Sequence, residues 1–250
     1  MKKVLTSLVC LAAAATIASA DFARVELGAG MWNQTPKGSI SYTDSGATGS
    51  DTSDEKEQQQ AYIWLLVKHP IPILPNLRLE YAGITTNGVA SGKFKEWEVP
   101  TGTSTKTTLE MTQYDVIPYY NILDNTFWMT LDLGLDLKIM NTTYKANPIT
   151  GFVGYNDTTS VVMPLLYVRT RVEIPVTNIG LEADVKYISF DSNTMYDARV
   201  KVDYTLGFIP IIQPALEVGY RVQKIETDGG EDAKVDLEFS GVYAGLMLRF

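Results

Sequence analysis

One histidine, His69, and one cysteine, Cys10, are all that this 250-residue chain offers toward imidazole or thiol chemistry. A catalytic imidazole needs a nucleophile or a carboxylate placed beside it. His69 instead runs into Pro70-Ile71-Pro72, the composition of a turn. Counting alone excludes zinc fingers, cysteine clusters, iron–sulfur sites and His-rich metal centres. The carboxylate pairs Asp132/Asp136 and Glu182/Asp184 have the residue types of a glycosidase pair. Lys138, Lys186, Arg169 and Arg171 lie near them in the chain, so mutual salt bridges are the simpler expectation. The acidic run from Asp51 to Glu57, with Asp54 and Glu55, does not match the spacing of a calcium loop and reads as a solvated loop. Asn33, Asn141 and Asn156 each open an N-x-Thr triplet, a weak chance pattern. No glycine-rich phosphate fingerprint follows a strand and opens a helix. A net charge of −8 argues against nucleic acid as a partner. The chain is expected to be no enzyme and to have no catalytic residue, cofactor or metal.

Lys2 and Lys3 precede an apolar run from Val4 to Ile17, and Ala18-Ser19-Ala20 closes it. That is the layout of a cleaved secretory leader over 1–20, leaving one domain over 21–250. Cys10 goes with the leader, so the exported part has no thiol and its stability must come from packing and backbone pairing.

What remains has no apolar stretch near the roughly 18 residues of a spanning helix. It has two-residue alternation instead. Met129, Leu131, Leu133, Leu135, Leu137 and Ile139 alternate with Thr130, Asp132, Gly134, Asp136 and Lys138. Leu181, Ala183, Val185 and Tyr187 oppose Glu182, Asp184 and Lys186, and Ala198, Val200, Val202 and Tyr204 oppose Asp197, Arg199, Lys201 and Asp203. The same split separates Leu216, Val218 and Tyr220 from Glu217 and Arg221. A strand displays such residues as one apolar and one charged face. The pattern predicts ten strands near 22–32, 58–68, 77–87, 107–120, 126–140, 159–174, 180–190, 195–208, 214–227 and 234–250. Pro118 and Pro164 sit in or near two of them at the cost of a ladder donor. Connections at one end are short, three of them carrying Ile71-Pro72-Ile73, Ile174-Pro175-Val176 or Ile209-Pro210-Ile211; those at the other end are mostly long and polar.

A soluble sandwich also alternates, but its polar face meets water and gains nothing from opposite charges set side by side. The reading is therefore all-β: a closed antiparallel transmembrane β-barrel of about ten strands, with long extracellular loops and short periplasmic turns. Its lumen charges are expected to be Asp132, Asp136, Lys138, Arg169, Arg171, Glu182, Asp184, Lys186, Asp197, Arg199, Lys201, Asp203, Glu217 and Arg221, with Glu26, Glu80, Glu173, Asp236, Glu238, Arg24, Arg78, Lys234 and Arg249 on the same face. Trp32, Trp64, Tyr81, Trp128, Tyr144, Tyr187 and Tyr220 are candidates for the interfacial girdles. The location implied is a bacterial outer membrane, with its lipids and lipopolysaccharide as surroundings.

The last strand, Tyr243 to Phe250, resembles the carboxy-terminal signal of bacterial outer-membrane barrels through Gly245, Leu248 and Phe250. That resemblance implies the barrel assembly machinery as a partner. Asp21-Phe22, His69-Pro70-Ile71-Pro72, Ile122-Leu123-Asp124-Asn125, Leu131 to Leu135 and Glu217 to Arg221 resemble a family of uncharacterised outer-membrane barrels of epsilon-type proteobacteria labelled for a Gly-Gly pair, for which Gly229-Gly230 is the candidate. Ten-stranded barrel proteases and His-dependent lipid hydrolases work at the extracellular rim, whereas His69 belongs to a periplasmic turn. Two non-enzymatic functions survive: a narrow, low-conductance pore for small solutes, and a surface or adhesion protein that uses the barrel as an anchor.

Overall fold

The computed structural model describes residues 23–44, 47–126, 128–207, 212–228 and 234–250. The leader, Asp21-Phe22 and Gly229-Gly230 lie outside these. Every named element is a strand: β1 (Arg24–Asp44), β2 (Ala47–Ser53), β3 (Gln58–Lys68), β4 (Asn76–Gly92), β5 (Thr105–Thr126), β6 (Met129–Ala146), β7 (Tyr155–Glu173), β8 (Ile179–Phe190), β9 (Asn193–Thr205), β10 (Gln213–Asp228) and β11 (Lys234–Arg249). Apart from β2 and β3, neighbours along the chain pair antiparallel, and β11 closes on β1 from Glu26↔Arg249 to Ser41↔Lys234. β2 and β3 both pair with β1 and β4, one above the other, so together they form a single stave of a ten-strand barrel.

The strands run well past the alternating segments. Most of 33–57, 88–92 and 141–146 is ladder rather than loop. The reason is visible on the outer wall. Outward side chains are apolar at the foot of each stave and turn polar at Asn33 on β1, Gln59 on β3, Thr85 on β4, Thr112 on β5, Asn141 on β6, Ser160 on β7 and Ser189 on β8. Above that level both faces meet water or each other, so no apolar stripe marks the strand. β1 continues from Asn33 to Asp44 beyond it, roughly 30 Å at the usual rise and tilt.

The rim is uneven. β7 pairs with β6 over its whole length, from Tyr155↔Ala146 to Val172↔Met129, but with β8 only from Leu166 to Glu173. The β8–β9 hairpin turns at 191–192, leaving the upper edge of β7 without a strand beside it. Pro164 falls on that edge, where its missing donor costs no ladder bond toward β8.

Candidate functional site

The interior at the depth of the apolar belt is built from charged side chains. Strand parity places the even residues of β1, β4, β6 and β8 inside, together with the odd residues of β5, β7, β9, β10 and β11. All the residues expected to line the lumen, from Asp132 to Arg221, are buried. Lys138 and Lys186 are 0% exposed, a state a lone ammonium does not survive.

They are buried together. At the foot, Glu26 takes Arg24 at 2.6 Å and Arg249 at 2.7 Å, and Arg171 holds Asp203 through both Nη atoms at 2.6 and 2.9 Å. One storey higher, Arg169 bridges Asp132 and Glu182, each at 2.6 Å. Glu217 accepts from Tyr62 Oη at 2.8 Å, Trp64 Nε1 at 3.1 Å and Lys201 Nζ at 3.1 Å. Higher still, Lys186 joins Glu80 at 2.6 Å and Asp115, Lys138 joins Asp115 at 2.7 Å and Asp197 at 3.3 Å, and Arg221 grips Asp197 at 2.8 and 2.6 Å. Arg199 links Asp184 at 2.8 Å to Glu80 at 2.5 Å. Asp136 stands apart: neither of its buried oxygens has a protein hydrogen-bond partner, and its ion-pair contact is Lys138 Nζ at 4.0 Å.

Aromatic rings complete the filling. Lys201 and Arg78 lie over Trp64 at 4.4 and 5.1 Å, and Arg221 over Trp32 at 4.5 Å, so the cations are shared with π faces. Glycine makes room for one of these rings: a side chain at Gly28 would run into the Trp64 indole. An internal cavity between Trp32, Trp64, Arg78, Arg199 and Arg221 leaves about 10 Å³ for the centre of a water molecule, about one water's need. Above the charges, Met111, Met140, Met195, Ile225, Leu237 and Phe239 form an apolar layer.

Several expectations are corrected. Trp32 and Trp64 are lumenal rather than interfacial, and Tyr144 also points inward to donate to Asp51 at 2.7 Å; Tyr81, Tyr187 and Tyr220 face outward, and Trp128 is exposed in the turn before β6. Lys234, Asp236 and Glu238 share the parity of Leu246 and Leu248 and so lie on the outer wall above the belt, where Lys224 meets Asp236 at 3.5 Å. Asp51 is no loop residue. It is buried on β2, accepting from Thr107 at 2.9 Å as well as from Tyr144. Burial pushes its carboxyl above the ordinary carboxylate range, against the pull of those two hydroxyls. Asp115 was missed although it pairs with two lysines, because its inner-face neighbours Met111, Ile117 and Tyr119 blur the alternation of β5. The signal available was the outward set Tyr114, Val116, Pro118 and Tyr120, which leaves Asp115 on the other face.

At the top, Trp97 stacks on Phe94 at 4.2 Å, Tyr155 at 5.5 Å and Phe152 at 5.6 Å, tying the 93–104 connection to that at 147–154. Gly245 sits at the closing seam, where a Cβ would meet the Ala29 carbonyl and the Tyr62 hydroxyl. Leu248 faces outward opposite Leu27, and Phe250 exchanges backbone bonds with Val25 at 2.9 and 3.3 Å. His69 lies at the end opposite the aromatic cluster, its Nε2 on the Pro75 carbonyl at 3.0 Å. Among the described residues no group of His, Cys, Asp and Glu could hold a metal ion.

No protein-family model matches the sequence, and no curated protein does. Solved structures do. The outer membrane protease OmpT from Escherichia coli superposes with a TM-score of 0.54 at 13% identity, over 93% of this chain and 98% of that one. The translocator domain of the autotransporter NalP from Neisseria meningitidis gives 0.44 at 9% identity over 100% and 96% of the two chains. The attachment invasion locus protein Ail of Yersinia pestis, solved with a heparin analogue, gives 0.37 at 10% identity over 92% and 99%. At these identities the likeness concerns fold alone: the chain has the fold of a bacterial outer-membrane β-barrel.

Proposed function

We propose that the protein is a sealed outer-membrane barrel that anchors its tall extracellular sheet as a surface for interaction, and that it is neither an open pore nor an enzyme. One observation carries this reading: at the depth of the membrane the lumen is occupied by buried, ion-paired side chains, and the cavity among them admits about one water. A porin leaves that space to solvent. The narrow-pore expectation drew on the same paired charges, but pairs this close fill the bore rather than line it. Support for a surface role comes from the extended ladders, whose outer rows are polar, with hydroxyl and amide side chains beside charged ones such as Lys37, Glu110, Lys145 and Asp236. Thr143 and Thr158 contact at 3.1 Å and Ser160 donates to Asn141 at 2.7 Å. The non-enzymatic reading rests on His69, the sole imidazole, being turned onto backbone at the far end. Export through the leader, contact with lipopolysaccharide and recognition of the last strand by the assembly machinery belong to the same proposal. Planar-bilayer recording of the purified, folded protein tests it. Silent membranes, alongside a general porin that conducts, are the expected result; steady unitary steps of porin size would overturn it.

A further inference from the structure

The turn between β3 and β4 is apolar, exposed and without charge over residues 70–75. Ile73 is 84% exposed, with Ile71 and Leu74 each more than half exposed. We infer that this turn is a membrane-seated element, folded against the outer wall within the acyl region of the periplasmic leaflet, and that the His69 imidazole is the group that allows a non-repetitive backbone to lie there.

The backbone supplies the first argument. Irregular chain is excluded from hydrocarbon because its N–H and C=O groups lose water without gaining partners. Here Pro70, Pro72 and Pro75 carry no N–H. The N–H of His69 goes to Asn76 Oδ1 at 3.0 Å, that of Ile71 to His69 Nδ1 at 3.2 Å, and that of Leu74 to the Ile71 carbonyl at 3.3 Å. On the acceptor side, His69 Nε2 meets the Pro75 carbonyl at 3.0 Å and Tyr120 Oη donates to the Ile73 carbonyl at 3.0 Å. An Nδ1 that accepts leaves the proton on Nε2, so the ring is a neutral connector that serves one donor and one acceptor of the turn at once. The 174–178 turn is closed in a comparable way by Thr177, whose hydroxyl donates to the Ile174 carbonyl at 2.8 Å and accepts from the Ile179 N–H at 3.2 Å, but it carries the polar side chains of Thr177 and Asn178 where the 70–75 turn is apolar throughout.

Position supplies the second. Tyr120 faces outward on β5, so its bond to Ile73 holds the turn against the lipid side of the wall rather than under the lumen. Asn76 at the foot of β4 pairs with Tyr119, and Tyr119 with Gly134, along a ladder that climbs about 3 Å per strand in the tilted barrel. Below Gly134, β6 continues with Leu133, Leu131 and Met129 still facing outward, and once the climb of the ladder is subtracted it ends roughly 6 Å deeper than Asn76 at the usual rise and tilt. The apolar belt therefore reaches below the end of β4. Across that interval the turn supplies its surface, continuous with Leu77, Leu79, Val67 and Leu65. The occupant facing it is acyl chain.

Spin labels on single cysteines at Ile73, at Leu79 within the belt and at Val153 in an outer connection test this, in a Cys10→Ser background folded into phospholipid vesicles. Collision with oxygen should exceed collision with a water-soluble nickel chelate at 73 and 79, with the opposite order at 153. Nickel dominance at 73 would overturn the inference. So would dipolar broadening at 73 that disappears on dilution with unlabelled protein, which would assign the turn to a second copy. His69→Ala should raise nickel access at 73 by about threefold or more while leaving 79 unchanged, because the turn's backbone groups then seek water. Unchanged access at 73 in that variant, with the barrel folded, would remove the imidazole from its stated role.

Discussion

Replacing Lys186 with methionine keeps the length and volume of the side chain and removes one buried charge. Its ammonium is fully buried and ion-paired to Glu80 at 2.6 Å, to Asp115 and, more distantly, to Asp197 at 3.8 Å. In the variant, Glu80 keeps Arg78 and Arg199, and Asp197 keeps Arg221 and Lys138, but Asp115 retains only Lys138 among its ion-pair partners. Breaking a buried pair from one side costs about 3–5 kcal/mol, because the remaining carboxylate loses a counterion that no water replaces. That is roughly a hundredfold to several-thousandfold in the ratio of folded to unfolded barrel. Lys145 is the internal control: its bond to Glu110 at 2.9 Å is also a direct ion pair, yet both side chains are about half exposed, and an exposed pair contributes about 1 kcal/mol or less. Urea titration of vesicle-folded protein, read by tryptophan fluorescence and heat-modifiable mobility, measures both. Adding Asp115→Leu to Lys186→Met should return a large part of the loss, giving a coupling of about 2 kcal/mol or more. If Lys186→Met cost no more than Lys145→Met, the lumen would be hydrated and the sealed-barrel argument would fail with it.

Two further outcomes follow from the seam and from the sheet above the membrane. Gly245→Val should block closure of β11 on β1, since the added atoms collide with the Ala29 carbonyl and the Tyr62 hydroxyl; a normal yield of heat-modifiable protein would contradict it. Asp51, outside the membrane, keeps its proton to higher pH when folded than when unfolded, so its contribution is full at acid pH and shrinks as the pH rises through the folded value. Asp51→Asn should accordingly improve relative to the parent as the pH rises out of the acid range, in hydrogen-exchange protection of β2, and a change in the other direction would refute the assignment.

Where one face met lipid and the other met charge, residue order alone exposed the strand, as in β6, β8 and β9. It failed wherever that contrast vanishes. Above the belt, Lys37, Ser39 and Ser41 face out from β1 among other polar residues, so the ladder there looks like loop. On β5 both faces are apolar, which hid Asp115. Trp32 and Trp64 were misplaced because a large aromatic suggests an interface, although each shares the parity of lumenal neighbours, Glu26 for Trp32 and Tyr62 for Trp64. The depth of the bore could not be read at all. Which cation meets which carboxylate depends on strands distant in the chain, as with Lys186 on β8 and Glu80 on β4.

That last pairing bears on how such a molecule comes into being. Arg199 reaches Glu80 across 119 positions of chain, Tyr62 reaches Glu217 across 155, and Arg249 reaches Glu26 across 223. None of these bonds exists in a hairpin; the first two need the sheet to curl until distant staves face each other, and the third needs β11 to pair with β1. Until then the charged face has only solvent to satisfy it, so a partly assembled sheet must hold a column of water that the finished barrel expels. Drying of the interior is thereby coupled to completion of the wall.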